Sequence, residues 1–237
     1  MGAASADRAD ALQSSAVKTL PEARRSFLRR PSPWLIFAGV AAVAAARVAV
    51  GAFGWGDAAA VAAMLVVYPF GEWAIHVFLL HMKPFELRGR RVLPVAARAH
   101  RAHHREPADL DQVLLYWWQV ASLLLLAVPL TVLAGAGIAA AFAGGLPWGP
   151  ILTGLITGYA LVFAYEWTHH LIHTAYVPRS RVYRSIWRNH RLHHFKNERF
   201  WHGVTQNLSD RVLGTNPDQR EVPKSKTART LGAGPTG

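Results

Sequence analysis

Apolar positions along this chain fall into four long blocks, not into the short stripes that a soluble element turns toward a core. The blocks lie at about 34–55, 58–81, 113–142 and 151–173. Each reaches the roughly 20 residues that a helix needs to cross a bilayer. The pattern predicts an all-α integral membrane protein with about four transmembrane helices. The first block contains one charge, Arg47. A long cation near the end of a span can carry its head to the interface, and that is the expected placement of Arg47. The third block is long enough to tilt, or to kink at Pro129. Segment 1–33 reads as a flexible N-terminal stretch, and 217–237 as a disordered polar tail.

Charge orients these blocks. The chain has 237 residues and a formal net charge of +12, with 26 Lys and Arg against 14 Asp and Glu. Six of the cations lie in 1–33, seven in 82–112 and twelve in 174–237, while connections 56–57 and 143–150 hold none. Basic loops stay on the cytoplasmic side. Both termini and the central loop are therefore expected there. The positive charge then needs no nucleic acid, and anionic lipid head groups are its natural partner. The Ala- and Arg-rich style suggests a bacterial plasma membrane. Paired arginines in RRSFLRR, residues 24–30, look like an export signal, but several later spans make the chain a poor export substrate.

The polar segments carry the chemistry. Cysteine is absent, so a metal would have to be held by histidine, carboxylate or backbone oxygen. HRAHH at 100–104 and HRLHH at 190–194 each set three histidines at i, i+3 and i+4. On a helix these share one side, and the intervening arginine turns away. His169 and His173 are one turn apart at the end of the fourth block. His76 and His81, at the end of the second, are five apart, about 140° around an ideal α-helix. One of that pair needs a helix end or a local distortion. With the orientation above, all twelve histidines can meet on one membrane face. Ten of them, His76, His81, His100, His103, His104, His169, His173, His190, His193 and His194, suffice for two metal ions with about five nitrogen ligands each.

Ligating imidazoles normally pass their second N–H to an acceptor. Glu72, one turn before His76, and Glu166, three residues before His169, are candidates to support them. Asn189 and Asn197 flank the last group and can accept an imidazole hydrogen bond. His170 and His202 fall outside the pattern and are assigned supporting or structural roles. Asp109, Asp111, Glu198 and Asp210 read as solvated surface charges.

The order H-x4-H, H-x-x-H-H, H-x3-H, H-x-x-H-H resembles the fatty acid hydroxylase superfamily of integral membrane oxygenases. GVTQNLSDRVLGT, residues 203–215, is similar to the stretch that follows that family's last histidine box. The resemblance covers about residues 57–216. It implies a membrane hydroxylase domain over 34–216, with a cytoplasmic helical cap holding a dinuclear metal centre. It implies two iron ions, O2 as co-substrate, and a fatty acyl chain of a membrane lipid as substrate. The electron donor, a ferredoxin or cytochrome b5-like protein with its reductase, would be a separate partner. Zinc would be a substitute in isolated protein, because it has no redox chemistry. The H-x3-H third box looks most like fatty acid 2-hydroxylases. Carotenoid hydroxylases usually carry H-x4-H followed by Asp there, whereas Thr174 follows His173. Lipid desaturases and sterol oxidases share the pattern. A metal transporter would place its ligands along a path through mid-bilayer, whereas these histidines gather at one face.

Overall fold

The computed structural model describes residues 14–141 and 145–232, with side chains of 139–141 left aside. Eight α-helices are described: α1 (Leu20–Leu28), α2 (Pro31–Val50), α3 (Trp55–Ala74), α4 (Val95–Arg105), α5 (Trp117–Ala141), α6 (Trp148–His173), α7 (Arg181–Phe195) and α8 (Leu208–Val212). A π-helical turn, Ile75–Leu80, continues directly from α3. The strands are a small antiparallel hairpin, β1 (Phe85–Leu87) with β2 (Arg90–Val92), pairing Phe85 with Val92 and Leu87 with Arg90.

Four helical stretches are long and apolar enough to cross a membrane: Pro31–Val50, Trp55–Leu80, Trp117–Ile138 and Trp148–His173, with mean hydropathy of 1.3 to 2.2. Only 11 to 28 % of each apolar window is buried within the protein. Surface this apolar and this uncovered suits lipid, so the chain is an integral membrane protein.

Contacts divide the described chain into two units, neither continuous in sequence. One comprises 28–68 and 115–166. Its core is Ile36, Val120, Leu124, Leu155 and Tyr159, and the Tyr159 hydroxyl donates to the Leu124 carbonyl at 2.7 Å. Gly135 lets α5 and α6 approach, since a Cβ there would lie 2.4 Å from the Ile151 side chain. Arg47 does not snorkel. It is 1 % exposed and paired with Asp57 at 2.8 Å, while Thr153 donates to the same carboxylate. Asp57, just past the short connection, offers a charge partner within reach, and pairing replaces the trip to the interface.

The other unit comprises residues up to 27, together with 69–114 and 167–237. Here two expectations are corrected. The described part of the N-terminal stretch is not loose. Thr19 and Glu22 bond reciprocally at the start of α1, Glu22 N to Thr19 Oγ1 at 3.4 Å and Thr19 N to Glu22 Oε2 at 3.0 Å, the capping-box arrangement. Ala23 and Phe27 of α1 are buried. Residues 1–13 lie outside the described residues. Nor is 217–232 a disordered tail. Val222, Ala228 and Leu231 are buried, and backbone groups along the segment bond to residues more than a hundred positions earlier. Its polar composition concealed these partners. Residues 233–237 lie outside the described residues.

Candidate metal centre

The histidines are positioned by four local devices. The first is the π-helical turn. Its i→i+5 bonding includes His81 N–H to the His76 carbonyl at 3.1 Å. Adding one residue to the turn brings i and i+5 onto one face, and the two rings stand 4.9 Å apart. This is the local distortion that the five-residue spacing requires. The second device is α4, and the third is the last turn of α6, where His169 and His173 are 4.9 Å apart ring to ring. The fourth is α7, whose N-cap Ser180 accepts from Tyr183 N at 3.2 Å.

These devices bring ten imidazoles together as two groups of five. His76, His81, His100, His104 and His193 form one, and His103, His169, His173, His190 and His194 form the other. Within each group, one nitrogen per ring lies within 4.8 Å of all the others. Each H-x-x-H-H motif is split between them. The i and i+4 histidines go to one group and the i+3 histidine to the other, because i+3 and i+4 diverge by about 100° around the helix. Thus α4 gives His100 and His104 to the first group and His103 to the second, while α7 does the reverse. The groups adjoin, with His104 and His194 rings 4.1 Å apart.

Backbone carbonyls set the tautomers. Nδ1–H of His76 donates to the His202 carbonyl at 2.5 Å, and that of His104 to the Ala228 carbonyl at 2.8 Å. His173 donates to Pro107 and His193 to Phe200, each at 2.8 Å. A carbonyl can only accept, so Nδ1 carries the proton and Nε2 presents a lone pair. Those Nε2 atoms converge. His100 Nε2 is 3.1 Å from the Nε2 of both His76 and His104, and His193 Nε2 is 3.2 Å from that of His81. In the second group both ring nitrogens of His103 and Nε2 of His173 are buried without a hydrogen-bond partner among the described residues. Converging lone pairs and unsatisfied buried nitrogens are costly alone and are what a bound cation would satisfy. The donor set therefore fits two metal ions.

Electrostatics agree with that use. Burial holds His100, His103, His190, His193 and His194 well below the ordinary imidazole range, and neighbouring imidazoles add to the effect. Burial also lowers His104, to about 4, with the Ala228 hydrogen bond opposing it. Neutral imidazole is the ligating form.

The supporting residues divide differently from expectation. Glu72 accepts from the backbone N–H of Val204 at 2.5 Å and of Thr205 at 3.1 Å, and from the Thr205 hydroxyl. It fixes the loop whose His202 carbonyl holds His76. His202 thus supports the first group, and its ring packs 5.4 Å from His76 and 5.2 Å from His193. Glu166 is corrected: its carboxylate accepts from Ser32 Oγ at 3.0 Å and Leu115 N at 3.2 Å, in the other unit. Asn189 donates to the side-chain Oδ1 of Asn216 and Asn197 to the Pro223 backbone carbonyl, so each tethers a later segment and not an imidazole. His170 faces Phe27, ring centroids 5.5 Å apart, outside both groups.

Two features escaped sequence reasoning. Asp210 is fully buried, accepting from His202 N, Gly203 N and Thr215 Oγ1 at 2.6 to 2.9 Å. The close approach at Gly203 is tight, since a Cβ there would meet the Gln206 carbonyl oxygen at 1.9 Å. Nothing in the local pattern NLSDRV signals that its acid is buried. The carbonyls of Pro107, Phe200 and Ala228 leave no residue-type signal.

Four membrane-length helices and two adjoining groups of five imidazoles define a membrane-embedded histidine-box protein. The fatty acid hydroxylase family matches residues 61–215, and the chain belongs to that family. Two proteins of Arabidopsis thaliana are similar at 27 % identity over 68 % of this chain: dihydroceramide fatty acyl 2-hydroxylases FAH2 and FAH1. The chain spans less than two thirds of these relatives' lengths, 64 % and 62 %. In fold it resembles full-length Scs7p, of which only the hydroxylase domain is visible. The TM-score is 0.59 at 21 % identity, over 83 % of this chain and 68 % of that one.

Proposed function

We propose that this protein is an O2-dependent di-iron hydroxylase acting on a fatty acyl chain of a membrane lipid. The observation that carries this is the meeting of all four histidine boxes in two adjoining groups of five. His76, His81, His100, His104 and His193 would hold one ion, and His103, His169, His173, His190 and His194 the other. Iron bound there, with O2 as co-substrate, supplies the oxidising chemistry that puts one oxygen atom into an unactivated C–H bond and releases the other as water. Imidazole suits iron, zinc, copper and nickel alike, so the choice of iron rests on the family and on the need for redox chemistry. Zinc would fill the sites without turnover.

The chain's own part is orientation and exclusion. Carbonyls keep the ring protons on Nδ1, and burial keeps nine of the ten imidazoles away from bulk water. Two electrons per turnover come from a separate ferredoxin or cytochrome b5-like donor with its reductase. The names of the Arabidopsis relatives favour carbon 2 of an acyl chain as the target. The distribution of Lys and Arg supports a cytoplasmic site and termini, with the basic segments against anionic lipid, and the Ala- and Arg-rich composition supports a bacterial plasma membrane.

The test is lipid mass spectrometry under 18-O2, in a host lacking this chemistry but supplied with a donor. The wild type is expected to add one labelled oxygen to a lipid, and the His103→Ala, His193→Ala double variant to add none. Loss of two hydrogens without label would make the protein a desaturase. Label in a sterol or carotenoid would move the substrate within the superfamily. No lipid change in iron-loaded wild type would overturn hydroxylation and leave a non-redox metal protein.

A further inference from the structure

The family match ends at residue 215, yet the chain continues as a strap over the histidine centre. Ser225 N–H donates to the Lys196 carbonyl at 2.7 Å, tying the strap to the end of α7. Arg101, the arginine inside HRAHH, donates from the back of α4 to the Leu231 carbonyl at 2.7 Å and to the Met82 carbonyl at 2.9 Å. Arg229 returns the grip, its Nε donating to the His104 carbonyl at 2.8 Å and its Nη2 to that of Arg105. These are last-turn carbonyls of α4, which no intrahelical donor satisfies. Between those clamps the Ala228 carbonyl receives Nδ1–H of His104.

We infer that the strap 222–232 is part of the first metal site, with Ala228 a positioning residue that fixes the tautomer and aim of His104. This rests on the dinuclear reading above. The other carbonyls that hold imidazoles, those of His202, Pro107, Phe200 and Val113, come from within the family-matched stretch. Ala228 alone of these five comes from beyond it. Loss of such an outer partner typically lowers metal affinity by 10- to 100-fold. The loss should fall on the group containing His104, because the strap donates no carbonyl to an imidazole of the second group among the described residues.

The experiment uses full-length protein in detergent, loaded with Co2+, with visible absorbance reporting coordination and EDTA reporting release. Variants are a truncation after Val222, the milder Arg229→Gln, and a control truncation after Gly232. Truncation after Val222 is expected to make one Co2+ per chain leave about 10- to 100-fold sooner than the other. The second ion should keep the wild-type rate, and the control should match wild type. Arg229→Gln is expected to shift the same ion in the same direction by less, and it stands in if the truncation does not fold. Unchanged release in both variants would overturn the inference, as would equal acceleration of both ions, which a merely structural strap would cause. Wild-type protein that fails to bind two Co2+ would instead overturn the dinuclear reading.

Discussion

At the scale of single residues, the site depends on groups that never touch a metal. Asp210 receives two backbone N–H groups and a hydroxyl while fully buried. Asp210→Ala would strand those donors, each at about 1–3 kcal/mol, and would free the His202 carbonyl that holds His76. The expected outcome is a thermal unfolding midpoint lower by several degrees, with faster metal loss in the same sample. The imidazoles set a pH limit. His104 is held at about 4 by burial, against an ordinary value of 6.5. Its protonation is therefore disfavoured in the fold and free in the unfolded chain. Stability from this source is complete above pH 6.5 and drains away as pH falls toward 4, at about 1.4 kcal/mol per pH unit for each such imidazole. Thermal melts of metal-stripped protein between pH 7.5 and 4.5 should show a steep fall, and a flat profile would contradict it. The ten imidazoles were legible in sequence because their spacing is a side-chain signal. Asp210 was misread as a surface charge, since nothing local announces burial between a loop and a short helix.

At the scale of elements, spacing gave most of the answer. The four spans were visible as apolar blocks, and the strain between His76 and His81 was visible as an off-period interval. The fifth helix α5 begins at Trp117 instead of 113, because Leu115 N turns to Glu166 before the span starts. The β-hairpin at 85–92 left no clear alternation, being three residues a side. The end of α2 makes a prediction of its own. Buried Arg47 is paired with half-buried Asp57, with Thr153 on the same carboxylate. Arg47→Leu or Asp57→Leu alone leaves an uncompensated charge and should lower the melting midpoint by several degrees. The double variant should recover most of the loss, because an apolar pair of similar volume often replaces a buried ion pair at little cost. A purely additive cycle would show that the pair is not coupled.

At the scale of the whole molecule, the sequence separated greasy blocks from basic segments but hid which polar segments are ordered. Composition marked 217–237 as disordered, whereas residues up to 232 are held by arginines and histidines more than a hundred positions away. No local window contains both partners of such a bond. Topology is read out by reporter fusions. Fusion of green fluorescent protein at either terminus should glow in a bacterial host, and alkaline phosphatase fusions at the same ends should stay inactive. The opposite result would invert the topology that the Lys and Arg distribution predicts.

The turn from Ile75 to Leu80 has a further meaning. The fourth span grips with H-x3-H on an ordinary helix, and the second grips with H-x4-H on a π-turn. The two differ by one stored residue. That residue acts as an indexing step. Everything before it in the same helix is turned by about 100° and advanced about 1.5 Å relative to His81, compared with an uninterrupted helix. Glu72 reaches the 204–205 amides in this phase. Winding the same residues into an uninterrupted α-helix with His81 held in place would rotate Glu72 off its loop, whereas excising one residue between His76 and His81 would leave an ordinary H-x3-H grip with Glu72 still in phase. The lipid-facing and protein-facing sides of an entire span are thus set by how a single residue at its end is wound.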